Sequence, residues 1–266
     1  MLISGRGLLL CFIVMTCTVD IVLAEPDPAL LVTYIPNANM PPIMKKSYCR
    51  FPITEHGMPL TTARCSTFIV DVYFMSLYAD YKSDFLFLYE YIRNSIFLER
   101  NHSREDIRTW TSLQTGPSST YTRIAFDWLS HSLYWTDPTY GWIGVMNIKS
   151  GNAHMYRILQ HENIQRPHGI SLDPLRGYLF WTDIGQTSNI WQSSMSGDEM
   201  KVLISSGLIT PYSIVADVHE EKIFWIDDGR DTIESAQYDG TERKIIRRIA
   251  HAVLLDIEVF RVGERK

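Results

Sequence analysis

A four-residue motif recurs three times in the second half of the chain at nearly constant spacing. It reads Tyr134-Trp135-Thr136-Asp137, then Phe180-Trp181-Thr182-Asp183, and finally Phe224-Trp225-Ile226-Asp227. The three motif aspartates are 46 and 44 residues apart. A period of this length is typical of repeat architectures, in which each repeat is one supersecondary unit. The motif therefore constrains the fold more than any other feature of the sequence.

The agreement between the repeats extends well beyond the motif. An isoleucine lies 13 residues before each motif aspartate, and a glycine follows each motif within a Ser-Gly or Asp-Gly pair typical of tight turns. Each unit therefore predicts four short strands, the content of one β-propeller blade of roughly 40–45 residues. The predicted repeats span about residues 124–169, 170–213 and 214–256.

The motif aromatics are apolar at consecutive positions, as in Leu133-Tyr134-Trp135. A strand that is apolar on both faces must be covered on both faces, which stacked blades achieve. The threonine and aspartate that follow are expected to hydrogen-bond turn amides and to hold one blade to the next.

Another aspartate lies 10 residues before each motif aspartate, at Asp127, Asp173 and Asp217. Three such carboxylates could indicate acid–base catalysis or a metal site. Because they repeat with the backbone, we interpret them as caps of the turns between the first and second strands.

Composition excludes some classes of partner. The formal net charge is −5 and 21% of the residues are charged, so the chain lacks the basic surface that nucleic-acid binding requires.

Residues 1–24 resemble a signal peptide, with a 12-residue apolar run from Leu8 to Val19 that is too short to span a bilayer. We expect a membrane tether only in parts absent from this chain.

An oxidising, secretory environment fits the remaining features. Removal of residues 1–24 would leave two cysteines, Cys49 and Cys65, which predict one disulfide. Asn101-His102-Ser103 is a glycosylation sequon. We therefore expect an extracellular or cell-surface location.

The chain resembles the YWTD propeller, the class B repeat of the low-density lipoprotein receptor, and is most similar to the receptor-related proteins of that family. The resemblance rests on the three motifs and on Pro167-His168-Gly169-Ile170-Ser171-Leu172-Asp173-Pro174. Upstream, Phe87-Leu88-Tyr89 takes the place of the motif strand and Asn94-Ser95-Ile96 precedes the third strand. The resemblance implies an all-β, partial propeller over residues 84–266 with about four of six blades, whereas residues 25–83 match no module.

The sequence ends before a further motif could complete the next repeat, although Ile257-Glu258-Val259-Phe260 reads as the start of its first strand. An open ring would leave apolar blade faces uncovered. We expect either a truncated product or closure by a second copy, and we favour truncation.

Up-and-down topology brings the loops after the second strands to the same face as the loops that enter the first strands. The residue types favoured in binding hot spots on this face are aromatic or basic. The ligand-face candidates are Tyr140, Trp142, His168, Tyr212 and Arg230. Trp142 and Tyr212 could instead pack against the next blade rather than contact a ligand. His168 could instead be a solvated loop residue without a binding role.

The resemblance implies an extracellular module that binds protein ligands or lipoproteins in receptor-mediated endocytosis or Wnt-type co-receptor signalling. The eight histidines allow the hypothesis of acid-triggered ligand release. One alternative is an extracellular-matrix scaffold, and another is a metal-dependent propeller hydrolase. We expect no enzyme activity, cofactor or metal, because the first strands that line the axis are nearly all apolar and no nucleophile or zinc spacing is visible.

A basic run, Arg243, Lys244, Arg247 and Arg248, falls on a predicted outermost strand. It could indicate a polyanion surface. Protection of the strand edge is the interpretation that we favour.

Overall fold

A computed structural model describes the side chains of residues 76, 78, 85, 87–90, 93–98, 111–113, 122–149, 155–159, 162–249 and 256–259. It also gives the backbone of the strands named below. Within the residues that the structure describes, the regular structure is β-sheet apart from one short 3-10 turn at Asp228–Arg230.

Four antiparallel sheets of four strands follow one another along the chain, each with its strands in sequence order. Sheet 1 contains β7 (Phe74–Asp80), β8 (Phe85–Glu90), β9 (Ser95–Arg100) and β10 (Thr111–Thr115). Sheet 2 contains β11 (Ile124–Asp127), β12 (Ser132–Asp137), β13 (Trp142–Asn147) and β14 (Arg157–Gln160). Sheet 3 contains β15 (Pro167–Asp173), β16 (Tyr178–Ile184), β17 (Ser188–Ser194) and β18 (Lys201–Ile204). Sheet 4 contains β19 (Pro211–Asp217), β20 (Lys222–Asp227), β21 (Thr232–Gln237) and β22 (Lys244–Arg248), and β23 (Leu254–Arg261) follows it.

The four predicted strands per repeat and the propeller class are confirmed. In sheets 2, 3 and 4 the motif occupies the end of the second strand. The motif tryptophan pairs with an equivalent residue of the third strand in all three sheets, namely Gly144, Trp191 and Glu234. In sheet 1 the equivalent register position falls on Leu88, which pairs with Phe97. Phe87-Leu88-Tyr89-Glu90 is therefore a divergent form of the motif, and the first strand of its sheet begins at Phe74.

The motif aromatics point alternately to the two neighbouring sheets. Trp135 packs with Phe87 of sheet 1, whereas Tyr134 packs with Trp181 and Ile170 of sheet 3. Trp181 faces back to sheet 2 in the same way, and Trp225 packs with Phe180 of sheet 3. Burying about 150–250 Å² per aromatic ring contributes roughly 4–6 kcal/mol at about 25 cal/mol per Å², before entropy is subtracted. Tryptophan therefore closes the gap to the preceding sheet, and tyrosine or phenylalanine closes the gap to the next.

The far side of sheet 4 is covered by the strand that follows it. Phe224, Ile226 and Ile233 pack with Ile257 of β23, which lies beside β19 as the first strands of neighbouring sheets lie beside each other. Ile257 thus occupies the place of the first-strand isoleucines, as the sequence predicts for the start of a further repeat.

The aspartates at the turns between first and second strands cap those turns. Oδ1 of Asp127 accepts the Leu129 and Ser130 amides at 2.9 and 3.3 Å, and Oδ1 of Asp173 accepts the Leu175 and Arg176 amides at 3.0 and 3.1 Å. Asp217 does the same for the next two loop amides at 3.0 and 3.2 Å. A side-chain acceptor at this turn satisfies amides that the ladder leaves open, so the structural interpretation of these carboxylates is supported.

The N-terminal part contributes backbone strands only: β1 (Leu2–Ser4), β2 (Leu8–Val14), β3 (Cys17–Val22), β4 (Ala29–Tyr34), β5 (Ser47–Pro52) and β6 (Arg64–Thr67). β2 pairs with β23, and β5 pairs with β6 so that Cys49 stands opposite Cys65. The side chains of these strands, and Asn101, lie outside the described residues. The signal peptide, the division of the chain at residue 24, the disulfide and the glycosylation site therefore remain predictions. The predicted division at residue 83 falls between β7 and β8, which pair in sheet 1, so the first sheet begins earlier than the sequence indicated.

Candidate ligand-binding face

The motif aspartates fasten the loops of one face of the molecule. Asp183 accepts the amides of Gln165 and Arg166 at 2.9 and 2.6 Å, and these residues lie in the loop that enters β15. Asp227 accepts the amides of Ile209 and Thr210 at 2.8 Å each, in the loop that enters β19. Burial raises the pKa of Asp183, while the two amide bonds oppose that shift. The loops that carry ligand-face candidates are thus tied to buried strand ends.

The motif threonine joins sheet 2 to sheet 3. Thr136 Oγ1 accepts the Arg123 amide at 3.1 Å and donates to the His168 carbonyl at 2.8 Å. In sheet 3, Thr182 Oγ1 accepts the Gly169 amide at 2.9 Å. The bond to His168 crosses between sheets, so it fixes the spacing of two first strands where they reach the face.

Two of the predicted candidates, His168 and Tyr212, come together where β15 and β19 begin. Their ring centroids are 5.0 Å apart with the planes tilted by 59°. The guanidinium carbon of Arg123, which directly precedes β11, lies 5.6 Å from the centroid of the Tyr212 ring. These three residues, called the mouth cluster below, lie at or just before the starts of three consecutive first strands and combine a cation, an imidazole and a phenol.

His168 differs from the alternative of a solvated loop histidine, because it is only 4% exposed. Its position at the start of β15, between neighbouring strands, explains the burial. Burial is the main cause that lowers its pKa to about 3, and the positive charges of Arg123 and Arg166 contribute to the same shift. The imidazole is therefore neutral at both neutral and endosomal pH, so His168 gives no support to the hypothesis of acid-triggered release.

Tyr140, in the turn between β12 and β13, and Trp142, the first residue of β13, form a separate group. Their rings meet edge to face with centroids 5.5 Å apart, and Trp142 meets Tyr156 at 6.1 Å. Tyr140 is 65% exposed, whereas Trp142 is half-buried. Trp142 thus packs against the outer edge of its own sheet, and Tyr140 is the member of this pair that presents a free surface.

Arg230 is engaged with its own sheet. Its Nη1 donates to the Gly207 carbonyl, and its Nε lies 3.8 Å from Oε1 of Glu234. Glu234 is buried and accepts a 2.8 Å bond from Nε of Arg243, whose guanidinium lies 5.4 Å from the Trp225 centroid. Arg243 also donates to the carbonyls of loop residues 206 and 207. Arg230 therefore serves first to hold the loop that enters β19.

Sequence reasoning missed Arg123 and Glu234. Arg123 lies one residue before the repeated isoleucine, the position held by Gly169 and Ser213 in the next units, so aligning the repeats could have singled it out. Glu234 stands opposite the motif tryptophan in register, where sheet 3 has Trp191. A charge at an otherwise apolar repeat position is the signal that could have found it.

No three His, Cys, Asp or Glu side chains lie close enough to hold a metal ion in the part of the chain that the structure describes. Within the same residues, no helix has the length and apolar character needed to cross a membrane.

Known proteins similar to this chain include a low-density lipoprotein receptor-related protein 5-like protein and vitellogenin receptors. The human low-density lipoprotein receptor-related protein 5-like protein is 32% identical over 123 residues, which cover 46% of this chain and 48% of that protein. The vitellogenin receptor Yl of Drosophila melanogaster is 28% identical over 123 residues, which cover 46% of this chain and 6% of the receptor. The match thus spans at most about half the length of these relatives. No protein-family model matches the chain.

A solved structure shares the fold. A chain in the crystal structure of a nidogen/laminin complex aligns with a TM-score of 0.64 and 23% identity, over 76% of this chain and 74% of that chain. Together with the motif and the stacked four-stranded sheets, this likeness identifies the fold as a partial propeller of the YWTD type.

Proposed function

We propose that the chain is an extracellular binding module that holds a protein ligand on the face carrying the motif aspartates. The mouth cluster carries this proposal, because it places Arg123, His168 and Tyr212 side by side at the ends of buried strands. Aromatic and arginine side chains on a rigid support are the groups that contribute most to protein recognition.

The rigidity of this face favours binding. Asp183 and Asp227 each hold two loop amides, and Thr136 ties two first strands together. A preorganised surface loses less conformational entropy when a ligand binds. One relative is named a vitellogenin receptor and another a receptor-related protein 5-like protein, and both names agree with a binding role.

We further propose that the whole protein acts as a receptor, in ligand uptake or in co-receptor signalling of the Wnt type. Its ligands would be proteins or lipoproteins, and it would reach the surface through the secretory pathway. A matrix scaffold is the second candidate, and the specific observation that favours it is the likeness to a propeller solved in a complex with laminin.

Catalysis is the least supported role. The first strands β11, β15 and β19 bring Ile124, Ile170 and Ile214 to equivalent buried positions. Among the described residues, no three His, Cys, Asp or Glu side chains converge on a site that could hold a metal ion. The repeated aspartates are occupied by turn amides.

Binding of the full secreted chain to immobilised vitellogenin and to immobilised laminin tests the proposal, since the names of a relative and of the structural neighbour point to these two probes. We expect saturable binding to one of them. Tyr212→Ala should weaken it about tenfold or more, which corresponds to at least about 1.4 kcal/mol.

Leu175→Ala is the matched control, because Leu175 is an exposed apolar residue in a turn at the opposite ends of the strands. It should leave the affinity unchanged. Equal losses in Tyr212→Ala and Leu175→Ala, or binding that survives Tyr212→Ala, would argue against the face proposed here. Preferential binding of laminin would favour the scaffold role.

A further inference from the structure

The outer strands of sheets 2, 3 and 4 can be compared residue by residue. β14, β18 and β22 each pair with the third strand of their sheet, with a register shift at the same place. Their first residues, Arg157, Lys201 and Lys244, occupy the same register position and are all exposed. One cation per outer strand is a common means of preventing edge-to-edge association.

β22 carries two cations more than this protection requires. Arg247 pairs with Ile233, in the register position that Gln160 holds in β14 and Ile204 holds in β18. Arg248 follows it, and both arginines are exposed. Among the residues that the structure describes, Lys244, Arg247 and Arg248 form no ion pair with a carboxylate. Their charges are therefore available to a partner.

We propose that β22 binds a linear sulfated polysaccharide through Lys244, Arg247 and Arg248. At about 3.3 Å per residue, the cations from Lys244 to Arg248 extend over about 13 Å along one exposed edge. Because neighbouring strand residues point to opposite faces, a sulfated chain lying along this edge can meet Lys244 and Arg247 on one side of the strand and Arg248 on the other. Guanidinium groups can give each oxyanion two parallel hydrogen bonds.

The charge is local, because the chain as a whole has a formal net charge of −5. Neighbouring Arg243 is held by Glu234 and by loop carbonyls, so it stiffens the start of the strand. The choice of a sulfated polysaccharide rests on the proposed extracellular location, where such polymers are the abundant linear polyanions.

Heparin affinity of the full chain tests this inference. We expect the unmodified protein to bind immobilised heparin, and the double variant Arg247→Glu/Arg248→Glu to bind at least about tenfold more weakly. Counterion release should make the salt dependence less steep by about one unit for each lost contact. The matched control is Arg157→Glu/Lys201→Glu, which makes the same change in net charge on two other outer strands and should lose less than about twofold.

Three results would overturn the inference: no affinity of the unmodified chain for heparin, equal losses in the two double variants, or binding to phosphatidylserine vesicles without binding to heparin. Thermal melts of both variants exclude unfolding as the cause of a loss. If the glutamate variant does not fold, Arg247→Gln/Arg248→Gln provides the same comparison with a smaller expected loss. The heparin assay is independent of the vitellogenin and laminin assays, so failure of one proposal is distinguishable from failure of the other.

Discussion

Sheets 3 and 4 share one backbone frame but place different chemistry beside the buried motif tryptophan. In sheet 3, Trp181 stacks on Trp191 with the ring planes 3° apart and the centroids 6.0 Å apart. In sheet 4, the register partner of Trp225 is the buried Glu234, and Arg243 covers the ring instead.

The difference shows which parts of the repeat are fixed by stacking. Both tryptophans face the preceding sheet and both motif aspartates hold two loop amides, because these groups lie between neighbouring units. The cross-strand partner lies toward the outer part of the sheet, where an aromatic ring or an ion pair can cover the same surface. Four changes would break or sharpen this comparison.

The largest expected effect is that of Arg243→Ala in sheet 4. The change leaves the buried Glu234 with only the Thr232 hydroxyl, 2.9 Å from Oε1, and the more distant Arg230 cation, so it should lower the free energy of unfolding by about 3–5 kcal/mol. Chemical denaturation measures it. The double variant Glu234→Leu/Arg243→Leu should cost less than the single change, because an apolar pair leaves no buried charge. A single-variant loss below about 1 kcal/mol would mean that the ion pair has little role in sheet 4.

Gly144→Ala extends the comparison to sheet 2, where glycine is the register partner of Trp135. An added Cβ would lie 2.4 Å from two carbons of the Trp135 ring, and the ring is fully buried. We expect a loss of about 3 kcal/mol from forced repacking. Gly177→Ala is a control of the backbone effect alone, since its added Cβ meets nothing within 4 Å although its φ is +72°. Denaturant midpoints that fall equally for both variants would contradict the packing argument.

Thr136→Val tests the bond between sheets 2 and 3. It leaves the Arg123 amide and the His168 carbonyl without the hydroxyl, and we expect a loss of about 2 kcal/mol. Thr182→Val, which removes a bond within one sheet, should cost less, and sheet 4 naturally has Ile226 at this position. If Thr182→Val lowers the free energy of unfolding as much as Thr136→Val or more, the bond between sheets does not stabilise the fold more than the bond within one sheet.

The effect that is smallest at neutral pH, and that grows only in acid, is a pH dependence from His168. The unfolded imidazole takes up a proton below its ordinary pKa of 6.5, whereas in the folded chain its pKa is lowered to about 3. Stability is thus complete above pH 6.5 and falls toward acid by about 1.4 kcal/mol per pH unit between these two values. Denaturation at several pH values should show a shallower slope for His168→Gln. An unchanged slope in this variant would mean that His168 remains accessible to protons in the fold.

Much of this fold follows from the sequence because stacking imposes a period on it. The three motifs, the repeated isoleucines and the turn aspartates predict the strands of sheets 2, 3 and 4, since every unit meets the same neighbours. Sheet 1 is harder to recognise from the sequence, because Leu88 replaces the motif tryptophan and Glu90 replaces the motif aspartate. Only the apolar character of the first position and the acidic character of the second are retained.

The candidate face was less predictable from the sequence. Burial of His168 and its contact with Tyr212 depend on the distance between two strands 44 residues apart, which no local pattern encodes. The engagement of Arg230 depends on Glu234, a buried charge that ordinary strand patterns do not predict. Side chains that contact a neighbouring repeat are thus fixed by tertiary geometry rather than by the motif.

Native-state hydrogen exchange tests most directly the claim that one stacked frame holds sheets with different partner chemistry. The amides of β16 and β20, which carry Trp181 and Trp225, should exchange only through a shared opening, with free energies that agree within about 1 kcal/mol. Opening of β20 at a free energy several kcal/mol below that of β16 would contradict the account, because the Glu234–Arg243 pair would then fail to replace the stacked tryptophan.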